Sequence, residues 1–120
     1  MGKLVLVADD DRMIRTLLKD ALGTAGYEFV EAESGEEALA TYVQQKPDLV
    51  LIDLMMPNKS GIEALSQIRA HDPESRVVVV TSLEVDSLRK EALEKGAVGF
   101  VVKPFHPMEI VDAAERALKA

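Results

Sequence analysis

The chain has 120 residues, a size that favours one domain, spanning residues 1–120, around a single hydrophobic core. Its 14 Lys and Arg against 21 Asp and Glu give a net charge of −7, which argues against direct binding to nucleic acid, because an acidic domain repels phosphate. The chain has no cysteine, which excludes disulfides, thiol catalysis and thiolate metal sites. No apolar run approaches the roughly 18 residues that span a bilayer, so we expect no membrane contact and a cytoplasmic protein.

The first third of the sequence predicts two strands separated by a helix. Lys3–Ala8 is a short run of strand-favouring residues, and Tyr27–Ala32, with two aromatic residues and a valine, also reads as a strand. Between them, Arg12–Ala25 carries apolar residues at helical spacing, and Gly26 predicts the end of this helix. The residues on this apolar face are Ile14, Leu17, Leu18, Ala21 and Leu22.

Two capping patterns of the form S-x-x-E predict the next two helices. The first pattern opens a helix over about Ser34–Gln45, and the second opens one over about Ser60–His71. Asp48–Asp53 lies between them and reads as a strand that is apolar on both faces until its last residue. Asp11, before the first helix, is placed to cap it.

The last third repeats the alternation. Arg76–Val80 and Val98–Val102 are continuous apolar runs, which indicates strands buried on both faces. Glu84–Lys95 is helical between them, and Pro107 suits the first turn of a last helix. Five strands alternating with five helices predict an α/β fold whose parallel sheet is covered by helices on both sides.

Charged and hydroxyl side chains stand at the ends of four predicted strands. They are Asp9, Asp10 and Asp11 after the first strand, Asp53 at the end of the third, Thr81 and Ser82 after the fourth, and Lys103, which Pro104 follows, after the fifth. Ligands of open parallel sheets bind beyond the carboxyl ends of the strands. The sequence therefore places its candidate site at this edge.

Three carboxylates at this edge predict a cation site. If the first and third strands are neighbours, about 4.8 Å apart, Asp9, Asp10 and Asp53 converge within a few ångströms. Oxygen ligands without histidine or cysteine favour Mg²⁺ or Mn²⁺ over zinc. His71 and His106 have no second ligand at metal spacing, so we exclude a histidine metal site or phosphoacceptor.

A carboxylate beside a divalent cation, an ammonium and a hydroxyl suits phosphoryl transfer. Asp53 could attack phosphorus while the cation and Lys103 neutralise the charge of the transferring group. Thr81 could donate a hydrogen bond to a phosphoryl oxygen. The added charge and acceptor oxygens could then move a nearby loop.

These motifs, in this order, resemble the response-regulator receiver domain of two-component signalling, in its single-domain form known from chemotaxis. The resemblance spans Lys3 to about Leu118. It rests on four motifs, which are the acidic pair, D-x-M-M-P at Asp53, T-S at Thr81 and K-P-F at Lys103. It implies a flavodoxin-like (βα)5 three-layer sandwich with strand order 2-1-3-4-5. Such a domain is a signalling switch and not a turnover enzyme, beyond catalysing its own aspartyl phosphorylation and dephosphorylation.

The resemblance also implies the roles of the site residues. Asp53 would be the phosphoacceptor and would bind Mg²⁺ with Asp10 and the backbone carbonyl of Met55, while Asp9 would help through water. Lys103 would contact the phosphoryl group.

The resemblance further implies a conformational switch. Thr81 would move toward the phosphoryl group, and the aromatic ring of Phe100 would follow it inward. Phe100 has no hydroxyl where many members carry Tyr, so it can act only by packing. The peptide bond before Pro104 is expected to be cis.

Partners follow from the same resemblance. A phosphohistidine of a sensor kinase or phosphotransfer protein, or a small molecule such as acetyl phosphate, would donate the phosphoryl group. Met13, Ile14, Pro104 and Phe105 are the expected docking residues for that partner. A downstream protein would read the surface of the fourth helix, fifth strand and last helix. We expect a monomer, with dimerisation on activation as an option.

Other functions stay open from the sequence. A Mg²⁺-dependent phosphohydrolase with an aspartyl nucleophile usually needs a second acid two residues later, where this chain has Met55. A receiver-like interaction module that works without phosphorylation would be expected to lose Asp10, Asp53 or Lys103, and all three are present. The sequence leaves open a stand-alone regulator, in chemotaxis or a phosphorelay, and a receiver from a longer regulator.

Overall fold

The computed structural model describes residues 2–23, 25–57, 60–83 and 86–119, in which strands and helices alternate along the chain. The strands are β1 (Leu4–Ala8), β2 (Glu28–Ala32), β3 (Leu49–Ile52), β4 (Val77–Thr81) and β5 (Gly99–Val102). The helices are α1 (Arg12–Gly23), α2 (Gly35–Gln45), α3 (Gly61–His71), α4 (Asp86–Glu94) and α5 (Pro107–Lys119). None of the helices in these ranges is long and apolar enough to cross a membrane.

The five strands form one parallel sheet in the order β2-β1-β3-β4-β5, which confirms the predicted architecture and strand order. In the register of β1 and β3, Ala8 lies beside Ile52. In the register of β4 and β5, Thr81 lies beside Val102. The last residues of paired strands are therefore neighbours, and whatever follows them is brought to the same edge.

The sheet separates two hydrophobic cores, because successive side chains of a strand point to opposite faces. In β3, Leu49 and Leu51 face the core that α1 and α5 cover, whereas Val50 and Ile52 face the core on the side of α2 and α3. All four β3 side chains are buried. Because β3 is packed on both faces, it holds the backbone of the aspartate that follows it in a fixed position.

Side-chain caps fix the starts of three helices. The Ser34 hydroxyl accepts a hydrogen bond from the amide of Glu37 at 3.1 Å, and Ser60 does the same for Glu63 at 3.2 Å. Both capping patterns predicted from the sequence are thus confirmed. Asp11 Oδ1 accepts from the amide of Met13 at 2.9 Å, as expected for a residue that caps α1.

Several predicted boundaries and one residue of a predicted helix face were wrong. Helix α1 ends at Gly23, two residues earlier than expected, and β4 continues through Thr81, whose carbonyl accepts from the amide of Lys103 at 2.8 Å. The predicted start of α4 at Glu84 lies outside the described residues. Leu17, predicted on the buried face of α1, is 46% exposed, while Arg15 on the same helix is buried at 7% exposure.

Candidate functional site at the carboxyl edge of the sheet

The pairing of the strands brings the predicted site residues together. The amide of Asp53 donates to the carbonyl of Ala8 at 3.0 Å, so the chain leaving β3 stays paired with the end of β1. Asp9 is held in the same way, since its amide donates to the carbonyl of Ala32 at 3.0 Å. Asp9 and Asp53 therefore continue the sheet by one residue beyond their strands.

Three carboxylates meet at this edge. One oxygen from each of Asp9, Asp10 and Asp53 lies within 4.8 Å of the others. Asp9 is 1% exposed and Asp53 is 6% exposed, whereas Asp10 is exposed to solvent. Two buried carboxylates in contact with a third require a compensating positive charge.

Lys103 supplies part of that charge. Its Nζ atom lies 2.7 Å from Asp9 Oδ2 and 3.0 Å from Asp53 Oδ2, so one ammonium bridges both buried acids. Burial tends to lower the pKa of Lys103, but the hydrogen bonds to Asp9 and Asp53 outweigh it and raise that pKa. The lysine is therefore fully charged at neutral pH.

Asp9 carries an electrostatic cost that Lys103 only partly offsets. Burial raises the pKa of Asp9, while hydrogen bonds from Lys103 and from the amide of Asp11 act in the opposite direction. The net direction is upward, so the folded chain disfavours the ionised form of Asp9. An added cation beside this carboxylate would lower the cost.

Each buried aspartate also uses one oxygen to shape its own loop. Asp9 Oδ1 accepts from the amide of Asp11 at 2.9 Å, and Asp53 Oδ1 accepts from the amide of Met55 at 3.1 Å. The other oxygen of each acid faces Lys103. These contacts fix both side chains and leave the exposed carboxylate of Asp10 to complete the group.

The donor set fits a metal ion that prefers oxygen ligands. The three clustered carboxylates are hard ligands, and the group opens to solvent on the side of Asp10. A cleft of about 550 Å³ gives access to it. Its walls are formed by Asp9, Asp10, Asp11, Asp53, Met55, Met56, Pro57 and Lys103.

The predicted switch residues Thr81 and Phe100 do not line this cleft. Thr81 is completely buried, and its Oγ1 accepts a long hydrogen bond, 3.4 Å, from the amide of Leu83. Phe100 is half-buried and packs against the core on the α2 and α3 side. The guanidinium of Arg89 lies 5.4 Å from the centre of the Phe100 ring, a cation–π contact that the sequence did not predict.

The expected docking residues border the same edge. Met13 is 70% exposed on the first turn of α1, and Ile14 and Phe105 are half-buried against the core on the α1 and α5 side. The peptide bond between Lys103 and Pro104 is cis. Met13 and Phe105 each follow a residue that lines the acidic cleft by two positions, Asp11 and Lys103 respectively, and their docking role stays a prediction.

Gly61 positions the site and escaped the sequence reasoning. Its amide donates to the carbonyl of Leu54 at 3.1 Å, which closes the loop between Asp53 and the start of α3. A Cβ atom at Gly61 would overlap the carbonyl oxygen of Asp53 and lie 2.6 Å from Leu54 Cα. The clash depends on the approach of two backbone segments, so the sequence alone gave no signal.

Comparisons with known proteins agree with this geometry. The family model described as "Response regulator receiver domain" matches residues 5–115. The chemotaxis protein CheY of Thermotoga maritima is 40% identical over 120 residues, covering 99% of this chain and 100% of that protein.

Two solved structures show the same fold. The response regulator domain of Thermotoga maritima CheB is 33% identical with a TM-score of 0.91, covering 100% of this chain and 98% of the other. A CheX–CheY–BeF3–Mg²⁺ complex from Borrelia burgdorferi is 31% identical to this chain with a TM-score of 0.90, covering 93% and 86%.

Replacing Gly61 with alanine should destabilise the protein, because the new methyl group meets backbone atoms that cannot swing aside. We expect Gly61→Ala to lower the free energy of unfolding by about 1–3 kcal/mol, as overpacking does elsewhere. Gly23→Ala is the control, since a Cβ there meets nothing within 4 Å and alanine favours a helix. Urea denaturation measures both; equal stability of the two variants would contradict the clash.

Proposed function

Because this chain belongs to the response regulator receiver domain family, we propose that Asp53 accepts a phosphoryl group and that the fold turns this modification into a signal. The homology to CheY supports a phosphorylation-activated switch of a two-component system. The observation that carries the assignment is the bridge of Lys103 between Asp9 and Asp53 at the mouth of an open acidic cleft. We further propose that residues 1–120 form one receiver domain, which the family match to residues 5–115 supports.

Asp53 and Lys103 have different roles in the proposed phosphoryl transfer. The Asp53 carboxylate attacks phosphorus, a new oxygen–phosphorus bond forms, and the bond to the donor's leaving group breaks. That leaving group is the imidazole of a phosphohistidine or the acetate of acetyl phosphate. Lys103, already 3.0 Å from Asp53, shifts its hydrogen bond to an oxygen of the incoming group.

Mg²⁺ is the proposed cofactor, with Mn²⁺ as a substitute. By resemblance to the family, Asp10 and Asp53 would bind it directly with the Met55 carbonyl, and Asp9 would act through water; the three carboxylates lie close enough for this. When bound, the ion supplies positive charge that offsets the charge of the phosphoryl group. The related CheY complex that contains Mg²⁺ supports this choice.

The proposed output runs through Thr81 and Phe100. Thr81 would exchange its long hydrogen bond from Leu83 for one donated to a phosphoryl oxygen, and the space it leaves would admit the Phe100 ring. A protein partner would then read the surface of α4, β5 and α5. The proposed partners are a sensor kinase or phosphotransfer protein upstream and a target protein downstream, acting in the cytoplasm on a monomer.

Incubation with acetyl phosphate and Mg²⁺ tests the acceptor directly. We expect one phosphoryl adduct in the intact mass of the wild-type chain and none in Asp53→Asn or in the presence of EDTA. Asp11→Asn is a matched control, since it removes a neighbouring charge outside the three-acid cluster. An adduct on Asp53→Asn would refute the assignment, and no adduct even with an active sensor kinase would favour a phosphorylation-independent interaction module.

Mg²⁺ alone should stabilise the folded chain, because it binds the folded acid cluster and not the unfolded chain. At a free Mg²⁺ concentration 100 times its dissociation constant, we expect the free energy of unfolding to rise by about 2.7 kcal/mol. Asp10→Asn should abolish most of this gain, whereas Asp11→Asn, which keeps an oxygen for the α1 cap, should retain it. Thermal unfolding with and without Mg²⁺ measures the effect, and equal gains in both variants would place the ion elsewhere.

The switch can be separated from the chemistry at Thr81. We expect Thr81→Ala still to become phosphorylated, because Asp53 and Lys103 are unchanged, but to lose the change in Phe100 ring resonances that phosphorylation causes. Thr81→Ser keeps the hydroxyl and should keep that change. Aromatic NMR spectra with and without phosphoryl donor decide this, and an unaltered Phe100 response in Thr81→Ala would remove the hydroxyl from the switch.

A further inference from the structure

The buried face of α1 contains a charged residue that the phosphotransfer proposal does not use. Arg15 is 7% exposed and lies on the same helix face as Leu18 and Leu22. A buried guanidinium is costly unless its donors are paired. Its partners therefore indicate why an arginine stands where an apolar side chain would pack.

Arg15 links two parts of the carboxyl edge. Its Nη1 donates to the backbone carbonyl of Asp9 at 2.7 Å, and its Nε donates to Glu31 Oε1 at 2.8 Å. Lys19 donates to the other oxygen of Glu31 at 2.9 Å. Hydrogen bonds from Lys19 and then Arg15 lower the pKa of Glu31, so this anchor stays ionised at neutral pH.

The carbonyl that Arg15 holds belongs to the peptide between Asp9 and Asp10. A peptide unit is planar, so fixing its oxygen also fixes the direction in which the chain enters Asp10. The amide of Asp9 is fixed as well, by the carbonyl of Ala32 at 3.0 Å. Among the described residues, the side chain of Asp10 has no hydrogen bond of its own, so its direction depends on this backbone.

We propose that Arg15 is a positioning residue for the acidic site, which orients the Asp9–Asp10 peptide so that Asp10 faces Asp53. The inference rests on the proposed function, since it concerns the same metal and phosphoryl site. Arginine is required because its planar fork donates in two directions from one rigid group. A lysine offers a single ammonium and can satisfy the carbonyl of Asp9 or Glu31, but not both in the same geometry.

The variants Arg15→Met and Arg15→Lys test this role, with Lys19→Met as the matched control. Lys19→Met removes a cation from the same helix and the same Glu31 but has no contact with Asp9. Partners that orient metal ligands typically contribute 10–100-fold to metal affinity. We expect both Arg15 variants to weaken Mg²⁺ binding, measured by calorimetry, by at least about tenfold, and Lys19→Met to stay within about twofold.

A second readout needs neither metal nor phosphoryl donor. The amide of Asp11 donates to Asp9 Oδ1, so its hydrogen exchange reports the order of this loop in EDTA. We expect faster exchange at Asp11 in the Arg15 variants and unchanged exchange in Lys19→Met. Arg15→Lys serves if Arg15→Met does not fold, and thermal unfolding identifies that case.

The outcomes separate this inference from the proposed function. If wild-type protein neither binds Mg²⁺ nor gains a phosphoryl group, the proposed function fails, while the exchange rate of the Asp11 amide still tests Arg15. If the wild type does both and the Arg15 variants match it in Mg²⁺ affinity and exchange, the positioning role is wrong. An equal loss in Lys19→Met would assign the effect to charge near Glu31 and would also overturn it.

Discussion

The ammonium of Lys103 between two buried carboxylates is the contact on which the rest of the site depends. Asp9 and Asp53 are almost fully buried on adjacent strands, and two such charges at 4 Å repel by about 4 kcal/mol at an effective dielectric of 20. The compensating charge comes from the loop after β5, two strands away from Asp53 in the sheet. The site is therefore complete only when the four neighbouring strands β1, β3, β4 and β5 have paired.

The acidic cluster has an unfavourable electrostatic free energy, which the stability of the sheet below it offsets. Burial raises the pKa of Asp9, so keeping this group ionised opposes folding at neutral pH, yet the ionised form is the one that can attract a cation. Strand β3, buried on both faces, holds Asp53 in place, and the amides of Asp11 and Met55 fix the two side chains. A rigid core thus maintains an arrangement of charges that a flexible loop would relax.

The residues at strand ends could be predicted from the sequence, because parallel strands deliver their carboxyl ends to one edge whatever the details of packing. Arg15 and Gly61 could not be assigned in the same way. A lone arginine in a helix is usually solvated, although its spacing of three and seven residues from Leu18 and Leu22 placed it on the buried face. The constraint on Gly61 arises only when the start of α3 meets the backbone of Asp53, and this approach is tertiary.

The path proposed from Asp53 to the surface requires that the moving parts be weakly held. Thr81 accepts a hydrogen bond at 3.4 Å, which is near the upper length limit of such bonds. Arg89 is an exposed residue of α4, so its cation–π contact with the Phe100 ring contributes only about 0.5–1 kcal/mol. A difference of 1.4 kcal/mol changes an equilibrium tenfold. In the proposed switch, one strong hydrogen bond from Thr81 to a phosphoryl group would therefore supply enough free energy to shift the Phe100 ring, whereas a tightly packed ring would not respond.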